Sequence, residues 1–178
     1  MEIETERLKI RLITENDWKA IKNIWEDFAL SEYSKYDMPK NLKDESVKLR
    51  VTTWAKANSK TDHMFFAVCL ENDIIGYVAF NIRENGYEIG YCFHSSYAHK
   101  GYAKESMTAL MEYMGNLGVS RFIVRTAIKN TPSVNLVESL GFKQTGEEKV
   151  SFCQNSEGEC FVFDGGIFEL CTNKKECL

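Results

Sequence analysis

The stretch HSSYAHKGYAKESMTALMEYM, His94 to Met114, constrains the chain more than any other. It follows YEIGYCF, which reads as a strand, and turns into an amphipathic helix opened by Gly101. The loop between them carries no acidic side chain. Glycine there lets the backbone take turns that other residues resist. The first N–H groups of a helix have no partner inside it and lie at the positive end of its dipole. A strand that leads through such a loop into such a terminus builds an anion site.

The rest of the chain reads as a frame around that unit. Leu8 to Ile13 alternates apolar and polar residues, as a half-buried first strand does. Thr14 and Asp17 have the spacing of a capping box. The helix behind them carries Trp18, Ile21, Ile24, Trp25 and Phe28 on one face. A second helix is expected over Lys43–Ala57, after the Met38-Pro39 break. MFFAVCL and IIGYVAF form a hairpin around Glu71-Asn72-Asp73, and Asn85-Gly86 is a hairpin turn into YEIGYCF. The main helix runs from about Gly101 to Leu117 and is followed by the strand RFIVRTAI. Pro132 opens and Gly141 closes a last helix. Two final strands meet at Asn155–Gly158. The order is β-α-α-β-β-β-α-β-α-β-β: an α/β fold, residues 1–178 as one domain. Its sheet is mixed and mostly antiparallel, of about seven strands flanked by about four helices, with one parallel neighbour pair.

A net charge of −4 over 178 residues argues against a general nucleic-acid partner. No run is apolar enough to cross a bilayer, and MEIETERLKIRL lacks the pattern of a signal peptide. The expected location is the cytoplasm, with no membrane partner, as monomer or homodimer. The six cysteines show no metal-ligand spacing, so no metal is expected. Cys153 and Cys160 flank QNSEGE and have the placement of a cross-hairpin pair, but a reducing compartment favours free thiols throughout.

ETERLKIRLITENDW, GYEIGYCFHSSYAHKGYAKESMTALMEYM and IKNTPSVNLVESLGFKQTGE together resemble the GNAT family of acetyl-CoA-dependent N-acetyltransferases. Within it they are most similar to the ribosomal-protein N-terminal acetyltransferases. The resemblance covers nearly the whole chain in order. It implies acetyl-CoA as co-substrate, with the pyrophosphate in the loop Ala98-His99-Lys100-Gly101-Tyr102-Ala103. Ala98 departs from the family's Gln or Arg. The backbone of Tyr91, Cys92, Phe93 and His94 is expected to meet the pantetheine amides. Asn130 is expected at the cofactor, and Ser133 beside its sulfur. Many members carry a tyrosine in the helix that follows, where this chain has Val137.

Glu88 projects from the strand face opposite the apolar row Ile89, Tyr91 and Phe93. A carboxylate there suits the base that an amine needs before attack. A solvated strand glutamate is its plain counterpart, and helix capping is that of Ser133. Tyr33 and Tyr36 lie in a loop rather than on a periodic face, which suits an acceptor pocket, with Glu32 and Asp37 beside them. The expected reaction moves acetyl from acetyl-CoA to a primary amine, on a protein N-terminus or a small molecule, by direct attack in a ternary complex. Its rival is a non-catalytic acyl-CoA-binding module of the same fold.

Overall fold

The computed structural model describes residues 1–37, 40–58, 61–83, 86–153 and 160–172, the side chains at 152, 153 and 160 aside. The Met38-Pro39 break, Asn85 and the Asn155–Gly158 turn lie outside these residues.

The strands are β1 (Glu2–Glu4), β2 (Lys9–Leu12), β3 (His63–Leu70), β4 (Asp73–Arg83), β5 (Gly86–Phe93), β6 (Arg121–Ala127), β7 (Lys143–Cys153) and β8 (Cys160–Cys171). The helices are α1 (Trp18–Ala29), α2 (Asp44–Ala57), α3 (Tyr102–Asn116) and α4 (Thr131–Ser139). One sheet of eight strands has the order β1-β2-β3-β4-β5-β6-β8-β7. The strand beyond the expected seven is β1, three residues paired with β2. Too short to show a period, it is made by its neighbour. All pairings are antiparallel except β5 with β6.

Both faces of the sheet are covered. On one, Met107, Leu110 and Met114 of α3 and Val137 of α4 pack against Phe66, Phe80, Phe122 and Phe168. On the other, Ile21, Ile24 and Trp25 of α1 and Val47 and Val51 of α2 pack against Phe65, Ala67, Tyr77 and Ala79. The spacing at 21, 24 and 25 gives α1 its single apolar stripe. β5 follows its alternation: Tyr87, Ile89, Tyr91 and Phe93 join the first core, and Cys92 the second. At Gly76 an added Cβ would lie 2.2 Å from the Phe93 ring, so β4 needs glycine to let that ring lie flat.

Thr14 and Asp17 form the expected capping box, closing a single 3-10 turn (Glu15–Asp17) that leads into α1. The Asp17 carboxylate accepts from the Thr14 N–H at 2.7 Å and from Arg11 Nη1 and Nη2 at 2.7 and 2.8 Å. Burial works to raise the Asp17 pKa, but Arg11 and Thr14 together hold it below the ordinary carboxylate value. One side chain thus ties β2 to the start of α1.

The cysteines correct one expectation. Cys69 and Cys92 are free thiols, but Cys171 is disulfide-bonded. Cys153 and Cys160 stand in register across β7 and β8, and their side chains lie outside the described residues.

Candidate active site

Among the described residues, β5 and β6 pair only through Tyr87 with Phe122 and Glu88 with Ile123. β5 then runs to Phe93 beside β4 and β6 to Ala127 beside β8, so the two diverge and a gap opens in the sheet. The N–H of His94 bonds Ile75 O of β4 at 3.0 Å. By alternation, the main-chain groups of Ile89, Tyr91 and Phe93 face the gap, and those of Cys92 and His94 face β4. Tyr91 and Phe93 therefore offer unpaired backbone to an extended ligand.

The gap leads to the loop. Ser95–Tyr97 form a 3-10 turn, His99 has φ +59° and Gly101 has φ +83°, and α3 begins at Tyr102. The left-handed Gly101 turns the first N–H groups of α3 outward, which only glycine does without strain. Two contacts the sequence does not announce hold this loop. Arg7 Nη1 donates to Lys100 O at 2.9 Å, its Nε to Glu105 Oε2 at 2.8 Å, and its guanidinium lies 4.6 Å from the Tyr102 ring centre. Burial works to raise the Glu105 pKa, but hydrogen bonds from Thr5 and Arg7 hold it below its ordinary value. On the other side, Asp27 of α1 accepts from the Ser95 N–H at 2.7 Å and from Ser95 Oγ at 2.6 Å. Lys100 bends back, its Nζ 3.1 Å from Ser96 O, and Ala98 and His99 are exposed. His94 Nδ1 accepts from the Ser96 N–H at 3.2 Å.

Glu88 sits where the strands part, on the face that α1 and α2 share. Its Oε2 accepts from Arg83 Nε and Arg125 Nη1, each at 2.8 Å, and Arg125 also pairs with Glu148. Next along this face, a side chain at Gly90 would meet nothing within 4 Å, so the floor there is open. Cys92 follows; burial, partly offset by Lys40, pushes its thiol up to about 12. Asp37 is paired with Lys40 at 2.5 Å, and that ammonium lies 5.4 Å from the Phe28 ring centre. Tyr36 packs on Phe161 and Phe163 of β8 at 6.0 and 5.3 Å, bridging the α1–α2 connection to the last hairpin. Tyr33 opens the turn that carries Tyr36. The open floor thus has walls from α1, from the connection after it and from β8.

On the opposite face, the Tyr91 phenol and Ser133 Oγ are 2.7 Å apart. Burial pushes the Tyr91 phenol up to about 12. Asn130 caps α4, its Oδ1 3.4 Å from the Ser133 N–H. Val137, on the inner face of α4, is fully buried. The structure therefore gathers β5, the loop and the start of α4 around one gap. The clamp residues Arg7, Glu105 and Asp27, and the arginines around Glu88, were not singled out in the sequence. Arg7 does lie in the first family-like block.

A profile of the Acetyltransferase (GNAT) domain matches residues 7–143. The uncharacterized N-acetyltransferase YnaD of Bacillus subtilis (strain 168) is 30% identical over 152 residues, covering 82% of this chain and 85% of that protein. An acetyltransferase (GNAT family) from Bacillus anthracis superposes with a TM-score of 0.77 at 28% identity, over 97% of this chain and 99% of that one. A ribosomal L7/L12 alpha-N-protein acetyltransferase, solved with coenzyme A, superposes at 0.84 with 19% identity, over 97% and 99%. The divergent strands, the glycine-opened helix and these similarities agree: the chain belongs to the GNAT acetyltransferase family.

Proposed function

We propose that this enzyme transfers acetyl from acetyl-CoA to a primary amine by direct attack in a ternary complex. The observation that carries the reading is the gap between β5 and β6 running into the left-handed turn at Gly101. Pantetheine amides pair with the backbone of Tyr91 and Phe93. The pyrophosphate takes the N–H groups of the 98–103 loop and the first turn of α3. Asn130 borders this cofactor path.

The acceptor enters over the open floor at Gly90, between Glu88 and the Tyr33–Asp37 segment. Glu88 takes the proton of the incoming ammonium, directly or through water, and the neutral amine attacks the thioester carbonyl. Backbone donors on β5 stabilise the developing oxyanion. The C–S bond then breaks with its electron pair on sulfur, where Ser133 donates a hydrogen bond, and the acylated nitrogen gives up its remaining extra proton to water, leaving the neutral amide. A covalent route through Cys92 is disfavoured by its raised thiol pKa, because the thiolate is the nucleophile.

A second reading, an acyl-CoA-binding module without turnover, draws on Val137, which fills the core where many family members carry a tyrosine. Thiol release from acetyl-CoA, measured with peptides bearing free N-termini, polyamines, aminoglycosides and amino acids, separates the two. Release matched by acetylated amine supports transfer. Binding of acetyl-CoA without release on any of the four classes supports the module.

A further inference from the structure

Tyr91 and Ser133 lie 42 residues apart in sequence and reach the gap from its two sides. Tyr91 comes from β5. Ser133 comes from the first turn of α4, which follows β6. Their hydroxyls meet at 2.7 Å on the face of α3 and α4, while Glu88 lies on the other face. One side chain on each side of the divergence is thus joined to the other by a single hydrogen bond.

A serine hydroxyl has one hydrogen to give and two lone pairs to fill. A thiolate in the gap is a charged acceptor and draws that hydrogen. Ser133 Oγ then needs a donor of its own, and the Tyr91 phenol is already at hydrogen-bond distance. Burial favours that polarity, because it keeps the phenol protonated across the working pH range.

We infer that Tyr91 is a positioning residue whose phenol donates to Ser133 Oγ and turns the serine hydrogen toward the coenzyme A sulfur. The chain Tyr91 O–H to Ser133 O–H to sulfur is polarised along its length, and the terminal bond is stronger for it. This rests on the reading of Ser133 given above. Neither hydroxyl loses its proton. The sulfur keeps the electron pair of the broken C–S bond and later takes a proton from water.

The test uses the 178-residue chain with bound coenzyme A, and its first readout needs no acceptor. The pKa of the bound thiol is read from thiolate ultraviolet absorbance, with the titration of each protein alone subtracted. It is measured for wild type, Tyr91→Phe, Ser133→Ala and the double variant. Wild type should hold the thiol below its ordinary value of about 8.5. Each single variant should raise it, and the double variant no further than Ser133→Ala. With an amine substrate, kcat should fall about twofold to tenfold in Tyr91→Phe, the size of one hydrogen bond between neutral groups, with KM for acetyl-CoA unchanged. The proposal is overturned if Ser133→Ala raises the bound thiol pKa and Tyr91→Phe does not. It is equally overturned if the two shifts add, because Tyr91 then acts independently of Ser133. If Ser133→Ala matches wild type in pKa and rate, Ser133 has no role at the sulfur and the proposal falls with it. Acetyl transfer would survive that result and be judged by thiol release alone.

Discussion

At Glu88, one carboxylate oxygen is shared between Arg83 and Arg125. Strand alternation placed Glu88 on the correct face, but it says nothing about two arginines reaching it from β4 and β6. Those contacts join residues that only the folded sheet brings together. They fix the carboxylate at the mouth of the gap rather than leaving it to sample solvent. If Glu88 is the base, Glu88→Gln should lower turnover most at neutral and lower pH, where an alkyl amine is chiefly protonated. The loss should be about a hundredfold or more there. It should shrink as pH rises toward the pKa of the amine. A pH–rate profile of the variant checks this, and a deficit constant at every pH would assign Glu88 to structure alone.

Polar side chains brought from a distance help to place two elements. Arg7 clamps the loop through Lys100 O and Glu105. Arg7→Ala should therefore speed amide hydrogen exchange at residues 99–103 and weaken acetyl-CoA severalfold, with the thermal midpoint little changed. Unaltered exchange in the loop would show that Asp27 suffices to hold it. Asp17 does the corresponding work for α1, and here the consequence is pH-dependent. Its folded pKa is lowered, so its contribution is present above the ordinary carboxylate value of about 3.9 and is lost as pH falls through the folded value. Asp17→Asn should cost about 1–3 kcal/mol at neutral pH. It should also flatten the acid limb of stability, as followed by urea unfolding at several pH values. An acid limb as steep as that of wild type would place the titrating group elsewhere. The capping box was legible because its residues are three apart. The clamp was not, because Arg7 and Glu105 are 98 apart and only the folded chain brings them together.

Over the whole molecule, the parts written in contiguous residues were readable: the hairpins, the apolar stripe of α1, and the strand, loop and helix around Gly101. The parts made by non-neighbours were not. β1 is a strand only because β2 lies beside it, and the sheet order β6-β8-β7 follows from long-range pairing. The disulfide at Cys171 was likewise not read from the sequence. Of the six cysteines, at most four should react with a thiol reagent in denaturant before reduction. Six reacting would show the bridge absent in solution. The gap and the Gly101 turn are proposed to hold acetyl-CoA. Calorimetric titration of acetyl-CoA into wild type and Gly101→Val tests it most directly. At φ +83° valine strains the turn, and its Cβ would stand 3.3 Å from Arg7 Nη2. Strain of about 1–3 kcal/mol at the loop predicts binding weakened about tenfold to a hundredfold, with the circular dichroism spectrum of wild type retained. Wild-type affinity in a folded Gly101→Val protein would place acetyl-CoA away from this turn.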